Sequence, residues 1–186
     1  MAHRIYNYSA FYVAEPFFSF NLGANAAHDF CYYNMLKAWK AADVSFPFLD
    51  AHNTTYNVRD NSDWETTLKP RLHERLRNSK NIVLFLSSNT RCSRALREEL
   101  EYGINVLKLP VIVVYPDYHE KSQIADKDGI MEEVKKLWDL LPIFRDNKGK
   151  VPTLHIPLKK DLIVKALTDD DLKVQTKTEN SCWYYV

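Results

Sequence analysis

A chain of 186 residues, 46% apolar and 13% aromatic, can bury one substantial core and is too short for two domains of ordinary size. Its 25 basic and 24 acidic residues leave a formal charge of +1, which excludes a global pull toward nucleic acid or an anionic membrane. No apolar run reaches spanning length, and the N-terminus lacks a signal-peptide core. Cys31, Cys92 and Cys182 are odd in number and far apart, so they read as reduced thiols in a cytoplasmic protein. The four glycines, at 23, 103, 129 and 149, cannot build a phosphate loop. The histidines show no zinc-site spacing with cysteine, so neither a metal nor a resident cofactor is expected.

In chain order, Ile5–Val13 reads as a first strand, and a loop with Pro16 and Gly23 follows. A helix is predicted over 26–42, with Tyr32, Met35, Leu36 and Trp39 as its core stripe. Phe46–Asp50 is a short second strand near a sheet edge, because Pro47 has no N–H to donate. The polar stretch 51–63 is a loop. Ser62 and Glu65 form a capping box, so a second helix starts near Asp63, lined by Trp64, Leu68, Leu72 and Leu76. Pro70 should kink it. Its basic residues (Lys69, Arg71, His73, Arg75, Arg77 and Lys80) read as a solvated face.

Ile82–Leu86 is uniformly apolar, as in a strand buried on both faces of a parallel sheet. Ser87 to Thr90 breaks it. Ser93 is the expected N-cap of a helix whose stripe is Leu96, Leu100, Gly103 and Leu107. Glu99 lies beside that stripe with Ala95 and Tyr102, between core and solvent. A strand at 109–116, a helix at 130–141 ended by Pro142, a strand at 152–157 and a helix at 159–168 complete the pattern. The alternation predicts a single α/β domain over 1–168. Its expected form is a flavodoxin-like, five-stranded parallel sheet in the order 2-1-3-4-5, with helices on both faces. Residues 169–186 form a charged tail with an aromatic end, Trp183, Tyr184 and Tyr185, expected to dock weakly on this domain or on a partner subunit.

The stretch from 81 to 100, NIVLFLSSNTRCSRALREEL, resembles TIR domains, whose strand is followed by S-x-N-Y-x-x-S-x-W-C-x-x-E-L. Ser87, Asn89, Ser93, Glu99 and Leu100 fall at those spacings without a gap. Thr90 replaces the Tyr, Ala95 the Trp and Leu96 the Cys. The phrases YNVRD, SDWE, LKPRLHERLRNSKN and LPIFRDN are similar to the small signalling subunit of bacterial Thoeris antiphage systems. The resemblance spans residues 4 to about 168. It implies cleavage of NAD+ at the nicotinamide–ribose bond with Glu99 as catalytic carboxylate. It further implies closure of the ADP-ribose into a cyclic isomer that reaches a separate effector as a diffusible messenger. Phe11, Tyr12, Arg59, Trp64 and Ser93 are the positions it places near the substrate. The 51–63 loop corresponds to a mobile segment used in self-association.

The residues alone agree with that chemistry without requiring it. One carboxylate, with no second acid, does not suit ordinary O-glycoside hydrolysis, where a poor leaving group must be protonated. N-ribosyl nicotinamide leaves as a neutral base, so one anion stabilising the developing cation suffices. The bland alternative is a solvated helix residue within the run Glu98, Glu99, Glu101. Two other functions compete: a non-enzymatic adaptor module, consistent with Ala95, and a nucleoside deoxyribosyltransferase-like enzyme working through a glutamyl–sugar intermediate.

Overall fold

The computed structural model describes residues 8–12, 24–51 and 63–184. Most of the 51–63 loop, Arg59, the Ser62 half of the capping box and both ends of the expected first strand lie outside the described residues. The main sheet is parallel, in the order β1-β2-β3-β6-β7: β1 (Tyr8–Tyr12), β2 (Ser79–Phe85), β3 (Val111–Tyr115), β6 (Thr153–Pro157) and β7 (Cys182–Tyr184). A two-stranded hairpin, β4 (Ala125–Asp126) and β5 (Gly129–Ile130), lies apart from it.

The apolar runs of β2, β3 and β6 are buried on both faces, as their sequences require. One face packs α1 (Ala24–Ala42) and α6 (Lys160–Thr168) through Tyr33, Leu36, Ile163 and Ala166 against Val83, Ile112 and Leu154. The other packs α2 (Lys69–Arg77), α3 (Arg94–Leu100), α4 (Glu132–Trp138) and α5 (Pro142–Asn147) against Ile82, Leu84, Val111 and Val113. After α3 a π-helical turn, Glu101–Val106, brings Gly103 against β2. A Cβ at Gly103 would stand 2.7 Å from Ile82 Cδ1, so glycine permits this close approach.

The sheet differs from expectation at both edges. Phe46–Asp50 is not a full strand: it makes one parallel bridge, Asp50 to Ser9, with Ser9 N–H donating to the Leu49 carbonyl at 2.9 Å. Pro47 removes one ladder donor from an already short segment, which leaves little to pair. The fifth strand is instead β7, from the stretch expected to be a tail. Its route there is anchored: Leu172 is buried, Asn81 Nδ2 donates to its carbonyl at 3.1 Å, and Val174 N–H donates to the Lys80 carbonyl at 2.9 Å. Thr153 N–H then donates to the Ser181 carbonyl at 2.9 Å, and β7 pairs with β6 from Thr153 to His155. Truncation after Asn180 is therefore expected to lower stability by about 1–3 kcal/mol through loss of these pairings. At roughly 2–4 °C per kcal/mol for a chain of this size, a thermal melt resolves that loss. An unchanged melting temperature would show β7 to be peripheral.

Two prolines act differently from expectation. Pro70 does not kink a helix interior. A π-helical turn, Trp64–Leu68, precedes α2, and Lys69 N–H still bonds to the Trp64 carbonyl five residues back. Pro70 then stands in the first turn of α2, where its missing N–H lets the helix change register at no cost in hydrogen bonds. The cap of this turn is Asp63, whose carboxylate accepts Thr66 N–H at 2.7 Å. Pro142 opens α5 rather than merely ending the helix before it.

Candidate functional site

The turn between β2 and α3 is closed on itself. Ser87 N–H donates to Thr90 Oγ1 at 3.0 Å and Asn89 N–H to Ser87 Oγ at 3.2 Å. Ser88 N–H donates to Asp117 Oδ2 at 2.7 Å, which ties this turn to the exit of β3. Ser93 caps α3 as its sequence position demands, its Oγ accepting Leu96 N–H at 3.1 Å. The hydroxyl oxygen is thereby used in ordering the helix that carries Glu99.

Glu98 and Glu99 have opposite environments. Glu98 Oε1 lies 2.8 Å from His73 Nε2, and its other oxygen lies 3.3 Å from Lys69 Nζ. Partial burial works against its charge, but the bonds to His73 and Lys69 prevail and hold its pKa below the ordinary range. The His73 ring stacks on Tyr102 with centroids 3.6 Å apart, and Arg77 Nε donates to the Tyr102 hydroxyl at 2.9 Å. These contacts form a seam between α2 and α3. Glu99 is only 7% exposed, deeper than the expected position between core and solvent, and its carboxylate bonds to no described residue. Burial pushes its pKa well above the usual carboxylate value, opposed by the charge of Arg75.

Trp64 lies at the upper end of the same seam. The Arg94 guanidinium sits over its ring, 4.8 Å from the centroid, and donates to Glu65 Oε1 at 2.6 Å. Trp64 therefore faces the first turn of α3, next to the Ser93 cap. Phe11 and Tyr12 are in register with Val83 and Leu84, near the end of β2 where the turn begins. Their side chains lie outside the described part of the structure, as does all of Arg59. Ala95 is partly buried and Thr90 is buried, so neither restores an aromatic at its position.

A family model described as Thoeris protein ThsB, TIR-like domain, matches residues 17–121, more than half of the chain. The chain belongs to this family. The matched ThsB TIR-like span contains Arg59, Trp64, Ser93 and Glu99 and leaves Phe11 and Tyr12 outside it. The family places the chain among TIR modules of antiphage defence. No helix among the described residues is long and apolar enough to cross a membrane. No cluster of metal-ligating side chains occurs among them either.

Two features of the site were not read from the sequence. One is Arg75 as the cation acting on Glu99. The other is the short hydrogen bond from the Tyr33 hydroxyl of α1 to Asp50 Oδ2, just before the 51–63 loop. Burial and that carboxylate raise the Tyr33 pKa, so the phenol stays protonated as the donor. A signal for Arg75 existed in the spacing. The basic run of α2 is not one solvated face but two files, on either flank of the Leu68, Leu72, Leu76 stripe.

Proposed function

We propose that this ThsB TIR-like chain cleaves NAD+ at the nicotinamide–ribose bond, with Glu99 as the catalytic carboxylate. The observation that carries this reading is a buried carboxylate that bonds to no described residue, on a rigid helix in the matched TIR-like segment. A structural glutamate at such depth would be expected to have a partner, as Glu98 has. In the reaction the C–N glycosidic bond breaks, its electron pair leaves with neutral nicotinamide, and Glu99 stabilises the positive charge at the anomeric carbon. Water then gives ADP-ribose and a proton. Attack by a nucleophile within the same ADP-ribose gives the cyclic isomer proposed as the messenger to a separate effector.

NAD+ is substrate here, and no resident cofactor is invoked. Phe11, Tyr12, Arg59, Trp64 and Ser93 are proposed to line the substrate, and the 51–63 loop to serve self-association in a cytoplasmic protein. Incubating purified protein with NAD+, with and without a crowding agent, and resolving products by chromatography tests the reading. Nicotinamide release with a cyclic isomer supports it in full. Nicotinamide with only linear ADP-ribose supports cleavage and removes the messenger. Absence of release under both conditions favours an adaptor role, the reading that Ala95 in place of the pocket Trp supports. A covalent sugar adduct on Glu99 after incubation with a 2′-deoxynucleoside would point instead to deoxyribosyl transfer.

A further inference from the structure

The spacing of Trp64, Leu68, Leu72 and Leu76 predicts Trp64 in the core, yet among the described residues it packs into the core on neither face of the sheet. The π-helical turn that opens at Trp64 buries none of its own residues, and such turns are frequent at functional sites. The other tryptophans on helices are spent on packing. Trp138 lies in the core and donates its indole N–H to the Tyr115 hydroxyl at 2.8 Å, and Trp39 packs edge-on against Phe46. The Trp64 N–H donates to no described residue, and the ring contact it makes is with the Arg94 guanidinium, 4.8 Å from its centroid. A half-buried indole outside the core, with its N–H unused, is a surface that a flat ligand can complete.

This indole is held in place from two sides. Asp63 caps its π-helical turn, accepting from Thr66 N–H at 2.7 Å and from the Thr66 hydroxyl at 2.8 Å. From the first turn of α3, Arg94 lays its guanidinium over one face of the ring, and Glu65, next to Trp64 in the chain, accepts from Arg94 at 2.6 Å and steadies it there. The Arg94 and Glu65 side chains are 67% and 60% exposed, so their pairing adds little stability. What it supplies is orientation: it covers one face of the indole, and no second ring or cation contact covers the other among the described residues. Arg94 precedes Glu99 by five residues, about 7.5 Å along the helix axis at 1.5 Å per residue. A dinucleotide with its nicotinamide ribose at Glu99 has its second base to place farther along, and the first turn of α3 lies in that direction, at the end of β2 where ligands of open α/β sheets bind.

Building on the NAD+ reading above, we propose that Trp64 is the stacking platform for the adenine of NAD+ and that Arg94 is the positioning residue that holds its ring ready. The charge behind the ring selects the base. A cationic nicotinamide ring on the open face would meet the Arg94 cation across the indole, whereas neutral adenine stacks without that repulsion. The test uses the full chain with Trp64→Ala, Trp64→Phe, Arg94→Gln and Arg94→Lys, folding being checked by thermal melts. Calorimetry with ADP-ribose, which keeps the adenine and lacks nicotinamide, measures binding without turnover. Trp64→Ala should weaken it about tenfold, and Trp64→Phe should return most of the loss. Arg94→Gln should weaken it about threefold, and Arg94→Lys, still able to lie over the ring, should return part of that. In nicotinamide release, Trp64→Ala should raise KM for NAD+ about tenfold more than for nicotinamide mononucleotide, which lacks the adenosine half. A merely structural role would affect the two substrates alike.

An ADP-ribose affinity unchanged in Trp64→Ala overturns the platform, as does a wild-type chain that binds no ADP-ribose. Equal KM rises for the two substrates overturn the adenine assignment. Weakening in Trp64→Ala with none in Arg94→Gln overturns the role of Arg94. If Trp64→Ala does not fold, Trp64→Leu keeps apolar bulk without the ring, and an affinity equal to wild type in that variant overturns the platform equally. A chain that binds ADP-ribose through Trp64 and never releases nicotinamide overturns the glycohydrolase reading and upholds the adenine platform.

Discussion

Glu99→Gln is expected to reduce NAD+ turnover by on the order of 10²-fold or more while making the folded chain more stable at neutral pH. The rate loss follows from removing the anion opposite a developing cation, in a site where water does not screen it. The stability gain follows from the raised pKa of Glu99. Between the ordinary carboxyl value of 4.5 and its raised folded value, the folded state binds the proton more tightly than the unfolded state. Its stability contribution is present below 4.5 and is lost as pH rises through the folded pKa, so at neutral pH the buried charge is a cost. Glutamine keeps the shape and removes that cost. Glu98→Gln should do the reverse. It should leave turnover nearly intact and lose under about 1 kcal/mol at neutral pH, because its partly exposed contacts with His73 and Lys69 stabilise the charged form. Denaturant melts at pH 7 and initial rates on the two variants decide the matter. Equal rate losses would show that the site is not centred on Glu99.

This opposition between adjacent glutamates shows what the sequence could convey. Helix geometry put Glu99 about 100° from Glu98, and the resemblance to the TIR motif spacing is what singled Glu99 out. Spacing did not reveal depth, which is set by packing between elements: Gly103, one turn beyond Glu99, lies against Ile82 of β2 and Leu76 of α2. The apolar runs of β2, β3 and β6 and the Ser93 cap were legible because each is a local pattern with a local cause. The edges were less legible. Phe46–Asp50 has strand composition, yet its pairing depends on how much ladder Pro47 leaves. Cys182–Tyr184 has too short a run to be called a strand, and it becomes one because β6 offers an open edge. The two files of α2 were hidden for a related reason. A charge run is a one-dimensional observation, and the helix turns it into two flanks, of which Lys69, His73 and Arg77 meet Glu98 and Tyr102 of α3 and the turn after it.

Acid should destabilise this fold through His155, and most of that sensitivity should vanish in His155→Gln. His155 lies on β6, buried among Tyr115, Trp138 and Phe144. Its Nδ1 is 2.7 Å from the Tyr115 hydroxyl, and that hydroxyl accepts Trp138 Nε1–H at 2.8 Å. The Tyr115 proton is therefore directed at Nδ1, which must be unprotonated to accept it. The neutral ring therefore carries its proton on Nε2, which is buried without a hydrogen-bond partner among the described residues, and a second proton would have to go on Nδ1, displacing the Tyr115 donor and leaving a buried charge. Burial, with the nearby charge of Lys148, lowers the His155 pKa from 6.5 to about 3. Between those values the unfolded chain binds a proton that the folded chain refuses, so stability is complete above pH 6.5 and falls as pH drops toward 3. From pH 7 to pH 5 this amounts to about 2 kcal/mol, at 1.36 kcal/mol per unit. Glutamine still offers the Tyr115 hydroxyl an acceptor but carries no titrating group. Urea unfolding at the two pH values should show wild type losing about 2 kcal/mol more than His155→Gln over that interval. Parallel losses in both proteins would mean that the acid sensitivity arises from the carboxylates and that His155 is protonated in the fold as readily as in the unfolded chain.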